Sequence, residues 1–263
     1  MLARLALIAC ALCVLQPAIA AEPAPASSVN ICRQALPTIR GLWQHDLYDA
    51  PPTVAAVMVD AIDGKLPQVR QSLAALPAAE QAHWRQVAML TAANAYQPTV
   101  VDGLLDDGAA VNEPVRLPPF KPAFYRQTLD AMESDPRLGG VPATGKALES
   151  SGLVDNRSNL VGPALPLAVV CGDTATLGVL LHHHANVMAR AAPNVADALT
   201  AAVVNGDTPI VSRLLDHGAD ACADDRRIRK PGTTLASIGQ HSHLPDALVQ
   251  RLTCHASTTA TVH

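Results

Sequence analysis

The chain has 263 residues, 49% hydrophobic but only 3% aromatic, and a net charge of −4 at pH 7. A mildly acidic chain is poorly suited to gripping nucleic acid, which calls for a basic face. The length suffices for a sizeable core, and with so few aromatics that core must be built from Ala, Val and Leu, which suits thin helical layers with small facing side chains.

The first 20 residues, MLARLALIACALCVLQPAIA, hold one Arg, an apolar run and a small-x-small close at Ala18-Ile19-Ala20. They read as an export signal cleaved after Ala20, too short for a membrane span. Leu7-Ile8-Ala9-Cys10 imitates a lipoprotein box, but the apolar run continues well past Cys10, which favours cleavage over a lipid anchor. Losing Arg4 with the signal takes the net charge to −5.

Residues 21–53 read as a Pro/Ala-rich linker followed by capping helices. Val29 to Tyr48 predicts one or two short helices broken at Pro37, lying over the unit that follows. Pro51-Pro52-Thr53 then opens a helix from Val54 to Asp63, ahead of Gly64. A second unit has Ala92-Ala93 at its start, Tyr96 in the place of the turn glycine and Leu104-Leu105-Asp106-Asp107-Gly108-Ala109 at its end. Residues 113–162 interrupt this pattern, because Tyr96 to Gly172 is 76 residues where one period is near 33. That stretch is rich in proline, and short helices are expected at Ala123–Glu133 and near Lys146–Ser151.

Beyond it the pattern is sharpest. PLAVVCGDTATLGVLLHHHANV is followed 34 residues on by ALTAAVVNGDTPIVSRLLDHGADA, aligned on Gly172 and Gly206. Leu180-Leu181 match Leu214-Leu215, and Ala185 matches Ala219. Each segment reads as helix, tight turn, helix, stop, and neither helix is long enough to stand alone in water. Gly239, with Leu235, Leu244 and Leu248, reads as a further turn in register, and residues 255–263 form a polar tail. The units fall at about 54–86, 87–112, 163–195, 196–230 and 231–254.

Gly172-Asp173 with Leu180-Leu181 and Ala185-Asn186-Val187, and Gly206-Asp207 with Leu214-Leu215 and Gly218-Ala219-Asp220, carry a resemblance to the ankyrin-repeat family. The family's Thr-Pro-Leu-His opening is absent. The resemblance implies an all-α, ankyrin-like solenoid of about five helix-turn-helix repeats, with an N-terminal helical cap, one long insertion at 113–162, and repeats at 54–112 and 163–254. It also implies a concave face that binds another protein, and no catalysis.

Candidate contact residues follow. Phe120, Phe124 and Tyr125 put three of the seven aromatics within six residues, beside Arg126, either as exposed anchors or as the insertion's own small core. Met188, Arg190 and Asn194 fall on one expected hairpin tip, and Arg226, Arg227 and Arg229 on the next. His183 and His217 occupy equivalent positions in adjacent units, where stacking would bring them near one another to bind zinc or sense pH; a solvated helix end is the plainer reading. GVPATGK at 140–146 imitates a phosphate loop but lacks the Ser/Thr and the preceding strand. No catalytic motif and no cofactor signature stand out.

The mature chain keeps Cys32, Cys171, Cys222 and Cys254. Cys222 and Cys254 lie one unit apart and are expected to pair. Cys32 and Cys171 would have to meet across two units, roughly 20 Å, so their state is left open: free, or paired where the N-terminal segment folds back. The functional expectation is a periplasmic, non-catalytic protein-binding module, monomeric or in a 1:1 complex, and specifically an immunity or inhibitor protein masking a toxin or enzyme in the envelope. The rivals are an accessory factor in oxidative or metal stress and an enzyme with its site at the insertion.

Overall fold

The computed structural model describes residues 31–45, 48–121, 123, 160–190, 196–223 and 233–254. Among these it is helical save for one two-residue ladder: α1 (Ile31–Gln44), α2 (Pro52–Ile62), α3 (Leu66–Ala74), α4 (Ala78–Asn94), α5 (Pro98–Asp106), β1 (Val115–Arg116), β2 (Leu160–Val161), α6 (Ala164–Val170), α7 (Thr174–His182), α8 (Ala198–Val204), α9 (Thr208–Asp216), α10 (Leu235–His241) and α11 (Asp246–Arg251).

From α2 onward the helices pair in chain order, α2 with α3 through to α10 with α11. The first helix of each pair also packs on the first helix of the next, and the second on the second. The result is a two-layered row of five pairs. Such short helices gain most of their stability from this packing rather than from propensity. One apolar cluster runs the length of the row, from Val54 to Leu252.

The repeating local signal is the turn inside each pair. Gly64, Tyr96, Gly172, Gly206 and His243 all take positive φ, between 57° and 76°. In each case the next residue's N–H reaches back five residues: Lys65 to Asp60, Gln97 to Ala92, Asp173 to Ala168, Asp207 to Ala202 and Leu244 to Gly239, at 2.9–3.1 Å. This left-handed closure satisfies a carbonyl that the ending helix leaves open. Gly108, His184 and Gly218 end α5, α7 and α9 in the same way, with Ala109, Ala185 and Ala219 donating to Leu104, Leu180 and Leu214.

Three expectations need correction. The last turn is at His243, 37 residues after Gly206, and Gly239 lies within α10. The expected register was off by one helical turn. Gly239 takes the small-residue position held by Ala92, Ala168 and Ala202, and a Cβ there would press on Leu252 and Leu244 at 3.2 and 3.3 Å. Second, α1 is unbroken through Pro37. An internal proline costs roughly 3 kcal/mol; burial of Cys32, Ala35, Leu42 and Trp43 offsets it. Third, α1 does not sit over the first pair alone but runs across the first three.

Candidate binding surface

The fastening of α1 is the most elaborate polar construction among the described residues. Cys32, near its start, is disulfide-bonded to Cys171, the residue that caps α6. This decides what the sequence left open: the N-terminal segment does fold back, and as a helix it covers the distance. The Arg33 guanidinium lies 4.4 Å from the centre of the Tyr96 ring. The Tyr96 hydroxyl donates to the Cys171 carbonyl at 2.8 Å, tying the second pair to the third. Near the other end, Arg40 makes two parallel 3.0 Å bonds to the Asp63 carboxylate at the cap of α2. The eight residues from Cys32 to Arg40 rise about 12 Å. The long arginine and tyrosine side chains supply the rest of the span.

Asp63 is held down to a pKa of about 2, mainly by the Arg40 hydrogen bond, with Lys65 adding to it against the cost of burial. The ion pair raises Arg40 in turn. Cys171 and Asp63 occupy the same place in their pairs, immediately before the left-handed turn residue.

Along the second helices, polar clasps join each pair to the next. Arg70 binds Asp107 at 2.6 and 3.0 Å. His183 donates from Nε2 to Asp102 at 2.8 Å, with Asp106 at 3.9 Å. Arg213 donates to the Thr174 carbonyl, and Arg251 to Asp216, both at 2.7 Å. The stacking of His183 on His217, raised as the alternative to a solvated helix end, does not occur. His183 turns to the carboxylates of α5, while His217 donates from Nδ1 to the Arg213 carbonyl of its own helix at 2.8 Å. Among the described residues, no group of three or more His, Cys, Asp or Glu side chains is placed to hold a metal ion.

The segments that lead from one pair to the next interlock. Asn112 accepts from the Asn186 N–H at 2.7 Å and donates to the His184 carbonyl. Asn186 in turn accepts from Met188 N–H at 2.9 Å, and the Met188 sulfur receives the Asp220 N–H at 3.4 Å. Arg190 forms a backbone bridge with Asp197 and points its guanidinium at that buried carboxylate, 4.0 Å away. Cys222 and Cys254 are disulfide-bonded, as expected, securing the residues that follow α11 to the last of these segments.

Phe120 lies inside the molecule's own packing. Its ring stacks on Tyr48 with centroids 4.6 Å apart, and Tyr48 meets Trp43 at 4.2 Å. Asp49 donates to the Pro119 carbonyl at 2.8 Å. Burial pushes the Tyr48 phenol well above its ordinary pKa. Beside this stack, Trp43, Gln44, Pro52, Ala55, Ala56 and Val59 line a shallow, mostly apolar groove of about 370 Å³. Of the expected contact residues, Met188 and Arg190 are thus engaged along the tips and Phe120 within the aromatic stack. Phe124, Tyr125, Arg126, Asn194, Arg226, Arg227 and Arg229 lie outside the described residues, as do the expected helix near Lys146–Ser151 and the phosphate-loop imitation.

Sequence reasoning missed Arg33, Arg40, Asp63 and Asn112. The signal that could have found the first two is the spacing of Cys32, Ala35, Leu36, Ile39, Leu42 and Trp43, which puts them on one face of a helix continuous through Pro37. Among the described residues, no helix is long and apolar enough to cross a membrane. No protein-family profile matches the chain, and no curated protein matches it.

Proposed function

We propose that the protein is an exported, ankyrin-like repeat module that works by binding another protein, with no bond made or broken. The supporting observation is the left-handed turn that recurs in all five pairs with the same hydrogen bond, on pairs that pack first helix to first helix and second to second. A row built this way is rigid, and each link between pairs presents backbone and side chains along one edge, which is how such arrays engage partners. Two disulfides, one between buried cysteines and one between exposed ones, favour an oxidising compartment, in keeping with the export signal and a periplasmic site of action. The specific role we favour is that of an immunity or inhibitor protein, which must cover a toxin or enzyme that reaches the envelope. The long excursion between the second and third pairs, returned to the row by the β1–β2 ladder, suits such masking.

Copurification from the periplasmic fraction with the tagged protein tests this. The expected result is one stable partner at 1:1 stoichiometry, with protection of the cell against that partner. Recovery of no partner, together with no protection against a toxin encoded alongside, would overturn the reading.

A further inference from the structure

The two disulfides sit in opposite surroundings. Cys32 and Cys171 are 2% and 3% exposed, closed in where α1 meets the end of α6. Cys222 and Cys254 are both exposed. Thiol–disulfide exchange requires a thiolate to reach a sulfur, so access separates an inert bond from a reactive one. The chain around the exposed bond is also held in place. The Cys222 N–H donates to Asp220 Oδ1 at 2.8 Å, and Cys254 Sγ lies 3.5 Å from the Ala221 carbonyl oxygen.

The exposed bond holds the slightest pair of the row. The fifth pair consists of a seven-residue helix, α10, and a six-residue helix, α11, far below the length that stands alone in water. Being last in the row, it leans on the fourth pair, α10 on α8 and α11 on α9. Its core contribution is Leu235, Leu244, Leu248, Val249 and Leu252. Its polar ties to the fourth pair are Arg251 to Asp216 at 2.7 Å and Ser242 Oγ to the Val204 carbonyl at 3.2 Å, both at the surface, where such contacts contribute little. The Cys222–Cys254 bond spans 32 positions and encloses both helices, so it keeps the pair beside the row when these contacts part.

We propose that Cys222–Cys254 is a thiol–disulfide exchange site, opened in the folded protein by a dithiol reductant while Cys32–Cys171 stays closed, and that its opening loosens the fifth pair. One thiolate of the dithiol attacks a sulfur of the exposed bond and forms a mixed disulfide; the other cysteine leaves as a thiolate and takes a proton from water. The second thiol of the reductant gives up its proton and attacks the mixed disulfide, releasing the remaining cysteine. Two electrons pass to Cys222 and Cys254, and the reductant ends as a disulfide. α1 keeps its bond to the third pair throughout. Cys222 lies in the segment that leads from the fourth pair to the fifth, so the state of this bond decides whether the row ends in five firm pairs or four.

The test incubates the oxidised chain with dithiothreitol under native conditions, quenches with iodoacetamide and maps the alkylated peptides by mass spectrometry. Cys222 and Cys254 are expected to be alkylated about a hundredfold faster than Cys32 and Cys171, with the helical circular dichroism retained. Opening of both bonds at one rate, opening of Cys32–Cys171 first, or opening of neither without loss of the helical signal overturns the proposal. In a second arm, hydrogen exchange is followed in the half-reduced chain. Amides of α10 and α11 are expected to exchange about tenfold faster than in the oxidised chain, with α6 and α7 unchanged, and Cys222→Ser with Cys254→Ser is expected to match this without reductant. Unchanged exchange in α10 and α11 of the half-reduced chain, or an equal rise along the whole row, overturns the loosening.

Discussion

The third and fourth pairs and the first two reach the same geometry by different means. In α7 and α9 the N-cap is Asp173 or Asp207, whose side chain accepts the third helical N–H at 3.1 Å, and the turn before it is glycine. In α3 and α5 the equivalent caps are Lys65 and Gln97, neither of which makes a side-chain cap bond. The second pair also places Tyr96 where glycine is preferred, at φ 59°. What those pairs lack locally is supplied from a distance. Gln97 donates to the Ile62 carbonyl at 2.9 Å, Arg70 to Asp107, the Tyr96 hydroxyl to Cys171, and α1 lies across the turns. One half of the row is thus specified by its own short-range chemistry, and the other leans on a strap and on neighbours.

The strongest way to break this contrast is to unfasten the strap. Cys32→Ser with Cys171→Ser opens a cross-link that spans 139 residues, and a loss of about 4 kcal/mol in denaturant-induced unfolding is expected. Hydrogen exchange should show that loss concentrated in α1 to α5, with α8 and α9 retaining most of their protection. Uniform loss of protection would mean that the two halves do not differ. A sharper probe contrasts two glycines. A Cβ on Gly206 would stand 2.7 Å from the Ser242 carbonyl, whereas on Gly172 its nearest neighbour is Asp207 Oδ2 at 3.7 Å. Gly172→Ala should therefore cost only the positive-φ penalty of about 1 kcal/mol, and Gly206→Ala about twice that, read as paired melting curves. The smallest effect is electrostatic. Asp63 titrates at about 2 in the folded protein, below its ordinary value. Its contribution is therefore complete above that ordinary value and is lost as pH falls through about 2. A carboxyl NMR titration should find the low value in the parent and a return towards normal in Arg40→Ala. A normal value in the parent would show that the far end of α1 is not pinned by this pair.

How much could be read in advance follows the same division. The units around Gly172 and Gly206 were legible, because Asp caps, turn glycines and Leu-Leu pairs are local signals that repeat at constant spacing. The Cys222–Cys254 bond was legible for the same reason, lying one unit apart. The last turn was misplaced because His243 adopts the left-handed conformation without being glycine, while Gly239, which looked like the turn residue, is there to let Leu252 and Leu244 approach. The continuity of α1 through Pro37 and its bond to Cys171 were not legible, since the first depends on packing against α2 and the second on a residue 139 positions away. The placing of His183 failed similarly: the carboxylates of Asp102 and Asp106 belong to a helix on the far side of the excursion.

The ladder that pairs Val115 with Val161 and Arg116 with Leu160 has a further implication. It brings the departing and returning chain to a single doorway, while α5 and α7 touch directly as if nothing intervened. Lengthening a tethered loop is thermodynamically mild, about 0.6 kcal/mol for each doubling. The doorway therefore makes the sequence between Ala123 and Leu160 a cassette: a lineage could exchange its contents, and an engineer could graft a foreign sequence there, without asking the helices on either side to learn a new neighbour.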